Sequence, residues 1–428
     1  MAFVYGPPVR GEDFVNRTKD IFKLISEIET RTYNVGDKPH IEVSAPRRIG
    51  KSSLLLKVQA ELKDKGYTPI YVQLLDIATV DEFFMRLRNE ILEHLPLTSN
   101  TREKLSGMFR NIGFNPTKMK GSVDDKGKIT VDIQDVFNLC KGSWKECGTN
   151  VFKLLRKYRE LKFVLFLDEM GFVRKLKDTN DVRLEFLNFL NVELSNPNTP
   201  VFVLCGSQNF FLILRNIKSE VFQLWRRNFM RMPIKGFDKE ATKNKLLIPN
   251  FKRETIYENE FFTDEILDGL AEIIYFISKG YPSIIQILGG DLTFELKYYI
   301  FYGNPINMEV LEQKFMDIFK ENILQDKQSI CRELLSEEAL GDDFEKYKSL
   351  IFKLYNNETL NIESIESELP KEELDEALRD LEEQQYIELN GSNYSLTYPF
   401  LKYFIWHPRK DAQSVKELAV QWKQIFHL

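Results

Sequence analysis

The stretch SAPRRIGKSSLL, Ser44 to Leu55, limits what this chain can fold into more than any other. A small residue, Ala45, is followed by four residues and then by Gly50-Lys51-Ser52. Upstream lies the short β-branched run HIEVSA (40–45). Downstream, SSLLLKVQAELKDKG (52–66) has helical spacing and stops at a glycine. Strand, tight loop and helix in this order make a phosphate cradle, because backbone N–H groups of the turn face an anion at the positive end of the helix dipole. An alanine stands where the first glycine of such a loop is expected, but that position only has to be small where the strand ends. The spacing therefore assigns Ala45, Pro46, Arg47, Arg48, Ile49, Gly50, Lys51, Ser52 and Ser53 to a nucleotide. Gly50 gives phosphate access to the backbone, Lys51 reaches the β- and γ-phosphates, and Ser52 ligates Mg2+.

Such a loop needs a parallel sheet behind it, and the first half of the chain supplies the strands. KFVLFLDE (162–169) and PVFVLCGS (200–207) are near-continuous apolar runs, the pattern of central strands covered on both faces. TPIYVQLLD (68–76) is also strand-like. TVDEFFMRLRNEILEHL (79–95) opens with Thr79 three residues before Glu82, the spacing of a capping box. The fold class expected is α/β, a P-loop NTPase with a parallel sheet. Domains are expected at 1–236 (core, with an inserted hairpin near 111–135), 237–340 (a helical lid) and 341–428. The last block reads as three helices followed by a hairpin with Asn390-Gly391 at its turn, a winged-helix-like pattern.

The chemistry concentrates at strand ends. Asp168 and Glu169 close the run FVLFLDE, where ligands of open α/β sheets sit. Asp168 is assigned to Mg2+ and Glu169 to the attacking water. Ser207, or failing that Asn209, ends the next strand and is a candidate sensor of the γ-phosphate, with a plain strand-to-helix cap nearly as good a reading. Arg226, Arg227 and Arg231 precede a predicted strand. Any one of them is either a finger reaching a neighbouring subunit's site or part of a solvated basic turn. VRGEDFVNR (9–17), with Val9, Arg10 and Gly11, is placed around the adenine base.

On these residues the chain resembles an ASCE-type P-loop ATPase of the AAA+/STAND group, and is particularly similar to the archaeal-ATPase, origin-recognition-like type. The likeness spans roughly residues 5–300 and rests on RGEDFVNR, APRRIGKSS, FLDE, LCGS, the pair Arg226–Arg227 and KGYPSIIQIL (279–288). One departure carries information. Where many AAA+ lids offer an arginine, this chain has Gly280-Tyr281-Pro282, similar to the Gly-x-Pro signature of STAND regulators. The resemblance then implies that Tyr281 and Pro282 touch nucleotide by packing, that turnover is slow, and that nucleotide acts as a latch. Glycine ending one helix and proline starting the next is the plainer reading, and the two are compatible.

Charge and composition bear on partners. With 428 residues and 43% hydrophobic content the chain can bury several cores. Its four cysteines show no metal-ligand spacing and no apolar run nears the ~20 residues of a bilayer span, so a soluble cytoplasmic protein is expected. Net charge is −5, but residues 102–160 hold 13 Lys/Arg against 7 Asp/Glu, whereas 321–390 hold 20 Asp/Glu against 7 Lys/Arg. The helix that would enter a DNA groove, KEELDEALRDLEEQQ (371–385), has seven acids against Lys371 and Arg379. Phosphate neutralisation dominates DNA affinity, so such a face repels DNA. The tail is therefore expected to contact protein or to regulate the lid, with assembly of like subunits on ATP binding as a further expectation. The alternative is a DNA-dependent loader or transposition-type ATPase gripping nucleic acid through Lys118, Lys120, Lys126 and Lys128. A scaffold whose catalysis has decayed is a third reading, and the intact Glu169 speaks against it.

Overall fold

Apolar runs bounded by turns become the strands of one sheet. The computed structural model describes residues 17–33, 39–95, 142–206, 210–253, 259–325, 330–336, 340, 344–356, 360–361, 370–391, 393–401 and 411–427. They group into two compact units, one of Lys19–Ser44 with Leu54–Pro233, the other of residues 17–18, Ala45–Ser53 and Ile234–Leu428.

The first unit carries β1 (His40–Ser44), β2 (Thr68–Gln73), β3 (Phe163–Asp168), β4 (Val201–Gly206) and β5 (Phe229–Pro233). They form a single parallel sheet in the order β2-β3-β4-β1-β5. Every residue of β1, β3 and β4 is buried; β3 and β4 accordingly show no polar alternation, whereas β1 alternates buried polar His40, Glu42 and Ser44 with Ile41 and Val43. Ser44 pairs with Gly206 and Leu167 with Leu204, so β1, β3 and β4 all finish on one edge of the sheet. That edge is where chemistry collects in an open α/β sheet.

Helices α1 (Thr18–Tyr33), α2 (Lys51–Asp64), α3 (Val80–His94), α4 (Trp144–Lys157), α5 (Asn180–Leu194), α6 (Phe210–Ile217) and α7 (Ser219–Asn228) alternate with the strands. Thr79 caps α3 as its sequence predicts, its hydroxyl accepting from the Glu82 N–H at 3.2 Å. An aromatic cluster fills the space between α3, α4, α5 and the sheet: Phe83 stacks on Phe172 with centroids 5.5 Å apart, and Phe84 on Trp144 at 5.9 Å. Pairs of this kind add roughly 0.5–1.5 kcal/mol each beyond the area they bury.

The second unit is mainly helical, with α8 (Asp264–Ser278), α9 (Pro282–Phe301), α10 (Met308–Phe319), α11 (Phe344–Asn356), α12 (Lys371–Glu383) and α13 (Asp411–Ile425). A three-stranded sheet accompanies them, β6 (Leu360–Asn361), β7 (Ile387–Asn390) and β8 (Asn393–Leu396), in the order β6-β8-β7. The β7–β8 hairpin turns at Asn390-Gly391, where the sequence places it. Two features differ from the sequence reading. A strand lies between α11 and α12 in a stretch read as helix throughout, and α13 follows the hairpin where no element was read. That helix returns to α8 and α10: Trp422 is fully buried against Phe315, and the Phe426 ring occupies the space a side chain on Gly269 of α8 would need. Among the described residues no helix is long and apolar enough to cross a membrane.

Candidate nucleotide site

The loop that follows β1 has the backbone its sequence requires. Arg48 and Gly50 both take positive φ, 59° and 96°, so the chain turns sharply twice before Lys51 starts α2. A left-handed residue costs a non-glycine roughly 1–2 kcal/mol. Gly50 takes the more extreme angle, and Arg48 is held by contacts. The Lys51 amine is buried and donates to the carbonyls of Ala45 (2.9 Å) and Pro46 (2.7 Å). It is thus folded over the loop it belongs to, and an ionised phosphate oxygen is a stronger acceptor than either of these carbonyls.

Three residues from outside the loop fix its shape. Arg17 is buried and donates to the Ile49 carbonyl (2.6 Å) and the Lys235 carbonyl (2.7 Å), with its guanidinium 4.8 Å above the Phe237 ring. The Tyr281 hydroxyl donates to the Arg47 carbonyl. Glu333 pairs side-on with Arg48, its Oε2 accepting from Nε at 2.8 Å and its Oε1 from Nη2 at 2.5 Å. Burial, reinforced by Tyr398, pushes the Tyr281 hydroxyl well above the usual phenol range, so it remains a donor at any working pH.

Tyr281 is positioned by a close backbone crossing. Lys279 and Gly280 both turn left-handed after α8, and Pro282 is the first residue of α9. The plain helix-boundary reading of Gly-Tyr-Pro is therefore correct, and it also delivers Tyr281 to the loop. The Gly280 carbonyl accepts from the Phe237 N–H at 2.8 Å, and a β-carbon at Gly280 would lie 1.8 Å from the Phe237 oxygen. The ring of Tyr281 then packs edge-on to Tyr398 (4.8 Å) and Phe400 (5.0 Å) of the tail.

In the other unit, Asp168 and Glu169 sit at the end of β3 as the sequence predicts. Asp168 is 2% exposed, and Glu169 is half-buried with φ 66°. The turn is pinned from both neighbouring strands: Leu74 N–H donates to the Asp168 carbonyl, and Met170 N–H to the Cys205 carbonyl. The Asp168 carboxylate accepts from its own neighbour's N–H, Glu169, at 3.0 Å, and from the hydroxyl of Tyr71 on β2.

Arg226 and Arg227 end α7 and are exposed, with Arg226 5.8 Å over the Phe222 ring. Arg231 differs from them. It lies within β5, donates to the Ser44 hydroxyl (3.0 Å) and pairs with buried Glu42 (3.7 Å), so its charge is engaged inside the sheet. Val9, Arg10, Gly11, Ser207, Asn209, the 111–135 hairpin and Lys118, Lys120, Lys126 and Lys128 lie outside the described residues. Arg17, Tyr71 and Glu333 are the residues that sequence reasoning did not assign. Arg17 was legible as the polar end of VRGEDFVNR, whereas Tyr71 in a strand run carries no signal.

The donor chemistry fits Mg-nucleotide. The loop offers glycine-opened backbone, a buried amine and the Ser52 hydroxyl; in the other unit, Asp168 is by itself a hard oxygen donor of the kind Mg2+ takes alongside phosphates and water. No protein-family model matches this chain, and no curated protein matches it by sequence. Among solved structures, the Walker-type ATPase PABY2304 of Pyrococcus abyssi superposes with a TM-score of 0.55 at 16% identity, covering 94% of this chain and 99% of that one. The fold is that of a Walker-type ATPase. The ORC2 protein of Aeropyrum pernix, in its ADPNP–ADP complexes, is also similar, with a TM-score of 0.47, 12% identity and coverage of 97% and 96%. In the order β2-β3-β4-β1-β5, one strand, β4, lies between β1, which the loop follows, and β3, which the acidic pair ends.

Proposed function

We propose that the chain is a Mg-ATP-binding, slowly hydrolysing molecular switch that regulates a protein partner or its own assembly. The observation that carries this reading is the attachment of the phosphate loop to the C-terminal half of the chain. Tyr281 grips Arg47, and Glu333 grips Arg48, within the segment a phosphate would engage. A ligand that shifts the loop must change these contacts, and differential contact in two states is what a ligand-driven switch requires. Lys51 and the loop N–H groups take the phosphates, Ser52 and Asp168 hold Mg2+, and Glu169 orients or deprotonates water. The metal's contribution when bound is to neutralise developing phosphate charge. Ser207 senses the γ-phosphate, Val9, Arg10 and Gly11 pack on the base, and Tyr281 and Pro282 act through the loop. Exposed Arg226 or Arg227 serves a neighbouring copy if the protein assembles.

The winged-helix-like tail is read as the partner-facing module. Five of the seven acids of α12 are exposed, Glu372, Glu373, Asp375, Glu376 and Glu382, which disfavours a phosphate backbone there. The experiment is steady-state ATP hydrolysis by wild type, Lys51→Ala and Glu169→Gln, each with and without DNA. The expected result is turnover below about 0.1 s⁻¹, under the range of typical enzymes, indifferent to DNA and lost in both variants. Strong stimulation by DNA would overturn the switch reading in favour of a nucleic-acid-dependent loader.

A further inference from the structure

Tyr71 lies on β2, the edge strand of the sheet, one strand away from the acidic turn. In the parallel register it pairs with Phe166, and Asp168 is two residues further along β3, on the same face as Phe166. The phenol therefore runs along one face of the sheet toward its carboxyl edge, and its hydroxyl donates to Asp168 Oδ2. On the other side of the same carboxylate, Oδ1 accepts from the Glu169 N–H at 3.0 Å. That second bond depends on the left-handed backbone of Glu169, which the Leu74 and Met170 hydrogen bonds hold in place.

The consequence is that both oxygens of Asp168 are held from opposite sides. A carboxylate oxygen has about two acceptor sites, and a donor on each oxygen sets the plane of the group. Without the Tyr71 hydroxyl Oδ2 loses this donor, and the carboxylate is less restrained about its last torsion, which is broad for aspartate. We propose that Tyr71 is a positioning residue for the metal site: its hydroxyl sets the orientation in which Asp168 binds Mg2+. The inference rests on the Mg-ATP reading above. It assigns to an otherwise ordinary strand tyrosine a role that β-propensity and partial burial would not by themselves require.

The test is Tyr71→Phe, which removes one oxygen and keeps the ring, beside Asp168→Asn and the double variant, all in the full chain. Mn2+ binding in the presence of ADP is read from the loss of the free-ion EPR signal, and ADP affinity is measured separately in EDTA. Loss of an outer-shell partner lowers metal affinity by about 10–100-fold, so Tyr71→Phe is expected to weaken Mn2+ binding by about tenfold or more. ADP affinity in EDTA should be unchanged, and the double variant should be no weaker than Asp168→Asn alone. Equal Mn2+ affinity in wild type and Tyr71→Phe overturns the inference and leaves the ATPase reading intact. So does an equal loss of ADP affinity in EDTA, which marks a purely structural tyrosine. A wild type that binds ADP with no Mn2+ dependence overturns both readings together.

Discussion

His40 opens β1 and has no exposed surface, and its two ring nitrogens define its charge state. Nε2 lies 2.8 Å from the Leu194 carbonyl, which can only accept, and Nδ1 lies 3.1 Å from the Phe202 N–H, which can only donate. The ring is thus the neutral tautomer protonated on Nε2, edge-on to Phe202 at 5.6 Å. Adding a proton at Nδ1 would set donor against donor in a dry strand. Burial is the largest influence and lowers the pKa from 6.5 to about 4; the Leu194 carbonyl pulls the other way, and the nearby Arg31 cation lowers it further.

Because the folded value lies below the unfolded one, the unfolded chain binds the extra proton first. Stability from this site is complete above about pH 6.5 and is lost as pH falls toward 4. A drop of that size, at 1.36 kcal/mol per pH unit, amounts to about 3 kcal/mol, a large part of a typical 5–15 kcal/mol. The assay is urea unfolding of wild type and His40→Asn at several pH values from 7 to 4.5. Surface carboxylates contribute equally to both proteins, so the difference in slope isolates His40, and wild type is expected to lose stability more steeply. An imidazole NMR titration supplies a reading that does not depend on the variant folding. A His40 resonance titrating near 6.5, or identical slopes in the two proteins, would refute the reasoning.

Two further perturbations separate backbone from side-chain effects. Gly280→Ala places a β-carbon 1.8 Å from the Phe237 oxygen at φ 79°, whereas Gly391→Ala at φ 67° meets nothing within 4 Å. The first should cost more than about 3 kcal/mol and the second about 1–2 kcal/mol, and equal urea midpoints for the two would show that the crossing at Phe237 is not rigid. Glu333→Gln breaks an ion pair whose side chains are about one-third exposed, so stability should change by less than about 1 kcal/mol. Nucleotide affinity should rise a few-fold as competition for Arg48 is removed, and fluorescent-nucleotide titration with no rise would mean that Arg48 does not reach the phosphates.

What the sequence made legible is what depends on nearest neighbours along the chain. The loop spacing at 45–52, the Thr79 cap, the Pro282 helix start and the Asn390-Gly391 turn are local rules, and each is seen where it was expected. Burial on both faces also writes itself into a strand, which is why β3 and β4 were readable to within a residue or two. Sheet order, the return of α13 and the loop's attachments at Arg17, Tyr281 and Glu333 join residues up to 285 positions apart, and no periodicity encodes them. Charge counting failed in one place for the same reason. Asp380 belongs to the acidic run of α12, yet it is buried and accepts from the Tyr347 hydroxyl at 2.7 Å, so it contributes to the tail's packing and not to its surface field.

These long-range contacts bear on how the loop can work. A phosphate loop anchored only by its own strand and helix would respond to nucleotide locally. Here Arg17 holds Ile49, Tyr281 holds Arg47 and Glu333 holds Arg48, so three consecutive loop residues are tied to three separate segments. Two of the ties are to backbone carbonyls, which any change of loop path must break or carry along. The third is to a side chain that phosphate itself attracts. Tyr281 in turn packs on Tyr398 and Phe400, so a displacement at Arg47 reaches the tail through one ring-to-ring step. Packed rings of this kind shift between discrete arrangements and do not deform continuously. A loop so attached is suited to reporting its occupancy, and that is the physical reason to look for the effect of ATP on the tail before looking for fast turnover.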